Sequence, residues 1–143
     1  MFLWDSNILR YHNQGHPALQ AHLQRVTRSQ VALPSVVVAE VLRGRCEFAL
    51  KSTPDQMPVA HRQLLEELRV LRRFRILSPN QSSAAAMSML MKRHSSRKRY
   101  ADLMIAAIAI AGNHIVVTRN QKDFVDLLPK HQLQNWIDDP PRS

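Results

Sequence analysis

The sequence predicts an α/β domain, a parallel sheet covered by helices on both faces. Short apolar runs of strand length at 1–4, 31–33 and 115–117, with a further strand candidate at 75–77, are one observation. The segments between them are longer, and their apolar residues recur every three or four positions, as in helices. Strands that alternate with helices argue for parallel pairing with both faces covered. With 143 residues and 45% apolar content, the chain suits one domain with a core of its own.

Taken in order, residues 1–4 read as a first strand. Residues 16–29 suit an amphipathic helix, with Leu19, Leu23 and Val26 about one turn apart. Val31-Ala32-Leu33 is a short strand ended by Pro34-Ser35, and Ser35 can cap a helix carrying Val38, Glu40, Val41 and Leu42. Pro54 and Pro58 mark 52–58 as a loop. Residues 59–74 form a helix with Leu64, Leu65, Leu68 and Leu71 inward and Arg62, Arg69, Arg72 and Arg73 outward. Arg75-Ile76-Leu77 is a strand, followed by an alanine- and methionine-rich helix over 80–93 and a basic link over 94–99. A mostly apolar helix at 101–111 closes on Gly112-Asn113. Ile115-Val116-Val117 is a β-branched strand, 118–124 a loop or helical turn, and 132–136 a last strand. The domain is expected over 1–138, with 139–143 a frayed tail.

Twenty basic residues against 11 acidic ones give a formal charge of +9, which implies a polyanionic partner, most simply nucleic acid. One cysteine, Cys46, rules out an intrachain disulfide and suits a reducing cytoplasm. No signal peptide is expected, because Asp5 interrupts the first apolar run, and the 101–111 run is too short for a membrane span. GxGxxG, GxxxxGK[ST], HExxH and GxSxG motifs are absent, which argues against the common nucleotide cradles, zinc peptidases and serine hydrolases.

Against this basic background, four acids stand out. Asp5 follows the first apolar run, Glu40 follows Val36-Val37-Val38-Ala39, Asp102 opens an eight-residue apolar run, and Asp123 lies in the loop or turn after Ile115-Val116-Val117. Each has a plainer reading: Asp5 as a turn residue, Glu40 as a solvent-facing helix residue, Asp102 as a carboxylate on a helix dipole, Asp123 as a surface acid beside Lys122. Together, beside strand ends and a buried helix start, they favour one anionic site neutralised by a cation. Carboxylates without a histidine or cysteine cluster select a hard ion, Mg²⁺ or Mn²⁺. Such a site on a cationic protein suits phosphodiester hydrolysis.

The same residues resemble the motifs of a known family, the PIN-domain nucleases. Asp5-Ser6-Asn7 is similar to its D-[TS]-N opening, and Ser35 through Gly44 to its S-x-x-x-x-E-[LV]-x-x-G segment. Asp102-Leu103-Met104-Ile105-Ala106-Ala107 is similar to D-x-x-I-A-A, and Thr118-Arg119-Asn120 through Asp123-Phe124 to T-[RD]-[ND]-x-x-D-F. Order and spacing match over nearly the whole chain, and its size resembles the VapC-type toxins, the ribonuclease halves of bacterial toxin–antitoxin pairs. The resemblance implies a three-layer α/β/α sandwich around a mainly parallel sheet. It also implies a Mg²⁺- or Mn²⁺-dependent endoribonuclease with an antitoxin partner, commonly a homodimer. Asp5, Glu40 and Asp102 would form the acidic core and hold the metal. Asn120 stands where many members have aspartate, so either it or Asp123 fills the fourth position. Ser6 would bond near the metal or the phosphate, Asn7 would hold the loop, and Thr118 belongs to the same supporting set. Arg97, Lys98 and Arg99 would clamp the substrate backbone or receive an acidic partner. A PIN nuclease that processes RNA without an antitoxin, and a degenerate PIN domain that serves as an RNA-binding or interaction module, are the competing readings.

Overall fold

The computed structural model describes residues 1–94 and 99–141. Five strands form one parallel sheet: β1 (Phe2–Trp4), β2 (Val31–Pro34), β3 (Arg75–Leu77), β4 (Ile115–Val117) and β5 (Leu133–Gln134). Their spatial order is β3-β2-β1-β4-β5, with β1 at the centre and Leu3 level with both Ala32 and Val116. Successive strand side chains point to opposite faces. Leu3, Ala32 and Val116 enter one core, and Trp4, Val31, Leu33 and Val117 enter the other. Two buried faces explain why these strands read as continuous apolar runs rather than as alternation.

The helices are α1 (Ser6–Asn13), α2 (Pro17–Leu23), α3 (Ser35–Lys51), α4 (Met57–Leu71), α5 (Gln81–Arg93) and α6 (Tyr100–Gly112). The first core is completed by α5 and α6 through Leu90, Leu103, Ile105, Ala106 and Ala109. The second is completed by Ile8 and Leu9 of α1, Leu19 of α2 and, from the C-terminal segment, Trp136 and Ile137. Residues of α3 reach both, since Val37 is buried in the first and Val38 and Leu42 pack on the second. The fold is a three-layer α/β/α sandwich, as the sequence predicts. No helix among the described residues is long and apolar enough to cross a membrane.

Three elements differ from expectation for identifiable reasons. The helix α1 is additional: Asp5-Ser6-Asn7 reads as a turn, yet Asp5 is the N-cap of a full helix and accepts from the Ile8 N–H. The helix expected over 16–29 stops at Leu23, and Thr27 with Gln30 forms a capping box on a short 3-10 turn (Arg28–Gln30). In α4, Leu65 faces solvent, 55% exposed, while Glu67 is buried. The inward stripe is Ala60, Leu64, Glu67, Leu68 and Leu71, and Leu65 falls outside it. Glu67 is held by Arg45 Nε at 3.6 Å and Asn13 Nδ2 at 3.4 Å.

The C-terminus of α6 lies directly before β4, so its ending matters for the sheet. Asn113 takes a left-handed conformation, φ 53°, and the His114 N–H bonds the Ala109 carbonyl at 2.9 Å. Asparagine tolerates this region and alanine does not. Asn113→Ala is expected to lower the melting temperature by roughly 3–5 °C, about 1 kcal/mol, with Asn113→Gly close to the parent. Equal melting curves for the alanine variant would contradict this.

Candidate active site

From β1 the chain moves outward through β2 to β3, then returns to lay β4 on the other side of β1. Connections leaving the carboxyl ends of β1 and β4 therefore diverge, and a parallel sheet opens its crevice at such a point. Asp5 stands at the end of β1 and Thr118 at the end of β4. They meet across the crevice, where the Thr118 hydroxyl donates to Asp5 Oδ2 at 2.6 Å. Asp5 Oδ1 accepts from the Ile8 N–H at 3.0 Å. With both oxygens held, the buried carboxylate has one orientation. Burial pushes its pKa up, and the charge of Glu40 adds to this, while the bonds from Thr118, Ile8 and Asn7 pull it down.

Asp102 lies in the first turn of α6 and is buried. Burial is the main cause that raises its pKa. The Arg99 guanidinium opposes the rise, and the charges of Asp123, Asp5 and Glu40 reinforce it. Acids from three other segments of the chain thus act on Asp102. Glu40 is half-buried on α3, and its Oε2 accepts from Arg99 Nη2 at 2.9 Å. Asp123 ends a 3-10 turn (Gln121–Asp123) and is half-buried.

The remaining expected residues are distributed around this group. Ser6 and Asn7 form the first turn of α1 and are half-buried. Thr118 is fully buried, and its Oγ1 accepts from the N–H of Asn120 at 3.1 Å. The Asn120 residue itself is exposed. Arg97 and Lys98 lie outside the described residues. Sequence reasoning missed Arg119, whose fork binds Asp138 through Nε and Nη2, each at 3.1 Å, and whose Nη1 donates to the Tyr11 hydroxyl at 2.8 Å. It ties the loop after β4 to α1 and to the C-terminal segment. The motif that contains it gives no sign of this role, because its partners are 19 and 108 residues away.

Among the described residues, no three histidine, cysteine or acidic side chains are grouped as ligands of a single ion. Glu40 is turned to Arg99 instead. The donor chemistry nevertheless fits a hard divalent cation, because it consists of carboxylate oxygens, and burial raises the pKa of Asp5 and Asp102 with a smaller contribution from neighbouring carboxylates.

A family model of the PIN domain matches residues 2–127. Among solved structures, the fold is similar to DNA-bound VapBC from Salmonella typhimurium, with a TM-score of 0.73, 21% identity, and coverage of 94% of this chain and 97% of that one. It is also similar to FitAcB from Neisseria gonorrhoeae, with a TM-score of 0.71, 27% identity, and coverage of 96% and 99%. VapBC2 from Rickettsia felis, bound to a DNA fragment from its promoter, gives a TM-score of 0.69 at 25% identity, with coverage of 94% and 98%. No curated protein sequence matches. PIN domains are nucleases that generally use divalent metal ions. The matched span takes in all four acids and both strands flanking the crevice, and the chain belongs to the PIN domain family.

Proposed function

We propose that this protein is a Mg²⁺- or Mn²⁺-dependent endoribonuclease and the toxin half of a toxin–antitoxin pair. The carrying observation is the buried pair Asp5, at the end of β1, and Asp102, at the start of α6, with the charges of Asp5, Glu40 and Asp123 all reaching Asp102. Asp5, Glu40 and Asp102 would hold the cation, and Asp123 or Asn120 would complete the group. A divalent cation bound there would act as a Lewis acid and lower the pKa of the attacking water. Thr118 and the N–H of Ile8 orient Asp5. Ser6 and Asn7 support the loop, and Arg99, bonded to Glu40, would meet a phosphate if Glu40 held the metal instead. The charge of +9 supports a polyanionic substrate.

A protein partner is supported by the solved relatives described as toxin–antitoxin or VapBC structures. A homodimer, and a cytoplasmic location suited to one unpaired cysteine, belong to the same reading. The decisive experiment is incubation of purified protein with total cellular RNA, with and without Mg²⁺ or Mn²⁺. Discrete cleavage products that vanish with chelator and with Asp5→Asn are expected. Intact RNA under all conditions would favour the degenerate, binding-only alternative.

A further inference from the structure

Beside the acidic group, α3 and α6 enclose a groove of about 460 Å³. Its walls include Val36, Glu40, Arg43, Arg99, Tyr100 and Met104. We infer that this groove is a subsite for one unstacked nucleotide of single-stranded RNA, with Tyr100 as the stacking platform and Arg43 as a backbone contact. The inference rests on the nuclease reading for its substrate class, and it names residues that no motif marks.

The volume falls within the roughly 300–1,000 Å³ of small-ligand sites. Tyr100 opens a helix whose next turns are almost wholly buried, yet it is 55% exposed. The core makes little use of this ring, whereas an exposed aromatic plane is what single-stranded bases stack on. Met104 lies one turn along α6 and Val36 one turn before Glu40 on α3, which gives the groove apolar walls. Arg43 follows Glu40 by three residues and is exposed, so its guanidinium shares the Glu40 face of α3. Arg99 bridges to the acidic group through its 2.9 Å bond to Glu40. An aromatic plane, apolar walls and two guanidiniums beside a site for phosphodiester chemistry match a nucleotide. An acidic peptide would use the guanidiniums and leave the plane idle. A duplex would keep its bases stacked on one another, away from the ring.

The test uses the full chain carrying Asp5→Asn, so that substrate survives, and a fluorescein-labelled 12-nucleotide single-stranded RNA. Adding Tyr100→Ala should weaken binding about tenfold, the size expected for one lost base stack. Tyr100→Trp should stay within about twofold of the parent, because it keeps a π-face. Arg43→Gln should lower the slope of log affinity against log salt by about 0.7, one single-strand phosphate contact. Duplex RNA of the same sequence should show no dependence on Tyr100. Alanine is a strong helix former, and an unchanged melting temperature checks that α6 persists.

Parent-like affinity in Tyr100→Ala overturns the subsite, as does an equal loss for single-stranded and duplex RNA. Cleavage by the unmutated chain is measured separately. Metal-dependent cleavage with Tyr100-independent binding overturns the subsite alone. Tyr100-dependent binding without cleavage sustains the subsite and overturns the nuclease reading.

Discussion

Asp102→Asn is expected to cut cleavage by at least about 100-fold, because under the proposed function it removes a charged ligand, and with it several kcal/mol of the stabilisation a metal would supply. The metal-free variant should be as stable as the parent or more so. Asp102 is buried and faces the charges of Asp123, Asp5 and Glu40, so its ionised form is unfavourable in the fold. The folded carboxyl therefore titrates above its unfolded value of 3.8. That destabilisation is fully present above the folded pKa and fades as pH falls toward the unfolded one. The melting-temperature advantage of Asp102→Asn should accordingly be largest near about pH 7 in chelator and shrink toward about pH 4. Comparing variant with parent at each pH removes shared contributions, such as that of half-buried His12, whose pKa is lowered by desolvation and then by Arg28 and Arg73. Position 102 is also in a first helical turn, where a carboxylate gains about 0.3–1 kcal/mol from the dipole. A fall of several degrees near neutral pH would mean that this favourable interaction outweighs the repulsion.

Thr118→Val should lower metal affinity by about 10–100-fold, the usual effect of removing a group that orients a ligand. Valine reproduces the shape of threonine without the hydroxyl. The variant leaves the buried Asp5 Oδ2 without its 2.6 Å donor and the Asn120 N–H, whose bond is only partly buried, without its acceptor. Hydrogen bonds to charged groups contribute about 1.5–3 kcal/mol, so the metal-free protein should also melt several degrees lower. Asp5 loses one of the bonds that pull its pKa down, so the pH at which activity rises should shift upward. Thr118→Ser should restore most of both properties. Calorimetric titration with Mn²⁺ and a melting curve check the prediction; parent-like values for Thr118→Val would remove the hydroxyl from the site's support.

Much of the site is legible in the chain because an acid inside apolar sequence is a strong local signal. Asp5 breaks a strand run, Asp102 opens an all-apolar helix, and both are buried in the fold. Glu40 is less readable, since the same helix pattern suits a solvent-facing glutamate, and its bond to Arg99 joins residues 59 apart. Arg99 is visible as part of a basic link, but not as the partner of a particular acid. Arg43 and Tyr100 carry no motif at all; only the packing of α3 beside α6 sets them on one groove.

By itself the sequence determined the strands β1 to β4, the apolar identity of α6 and the candidate acids. Each rests on local periodicity, which reports whether a residue is buried. Tertiary structure alone decided what each buried residue meets. Apolar runs do not encode neighbour order, so the placing of β1 between β2 and β4 emerges from parallel pairing and crossover connections. That order sets Thr118 against Asp5 across 113 residues of chain and creates the crevice. It also decided that Asp5 caps a helix as well as facing the site, and that Glu67 rather than Leu65 turns inward on α4. In both cases a local pattern allowed two orientations, and the long-range contacts selected one of them.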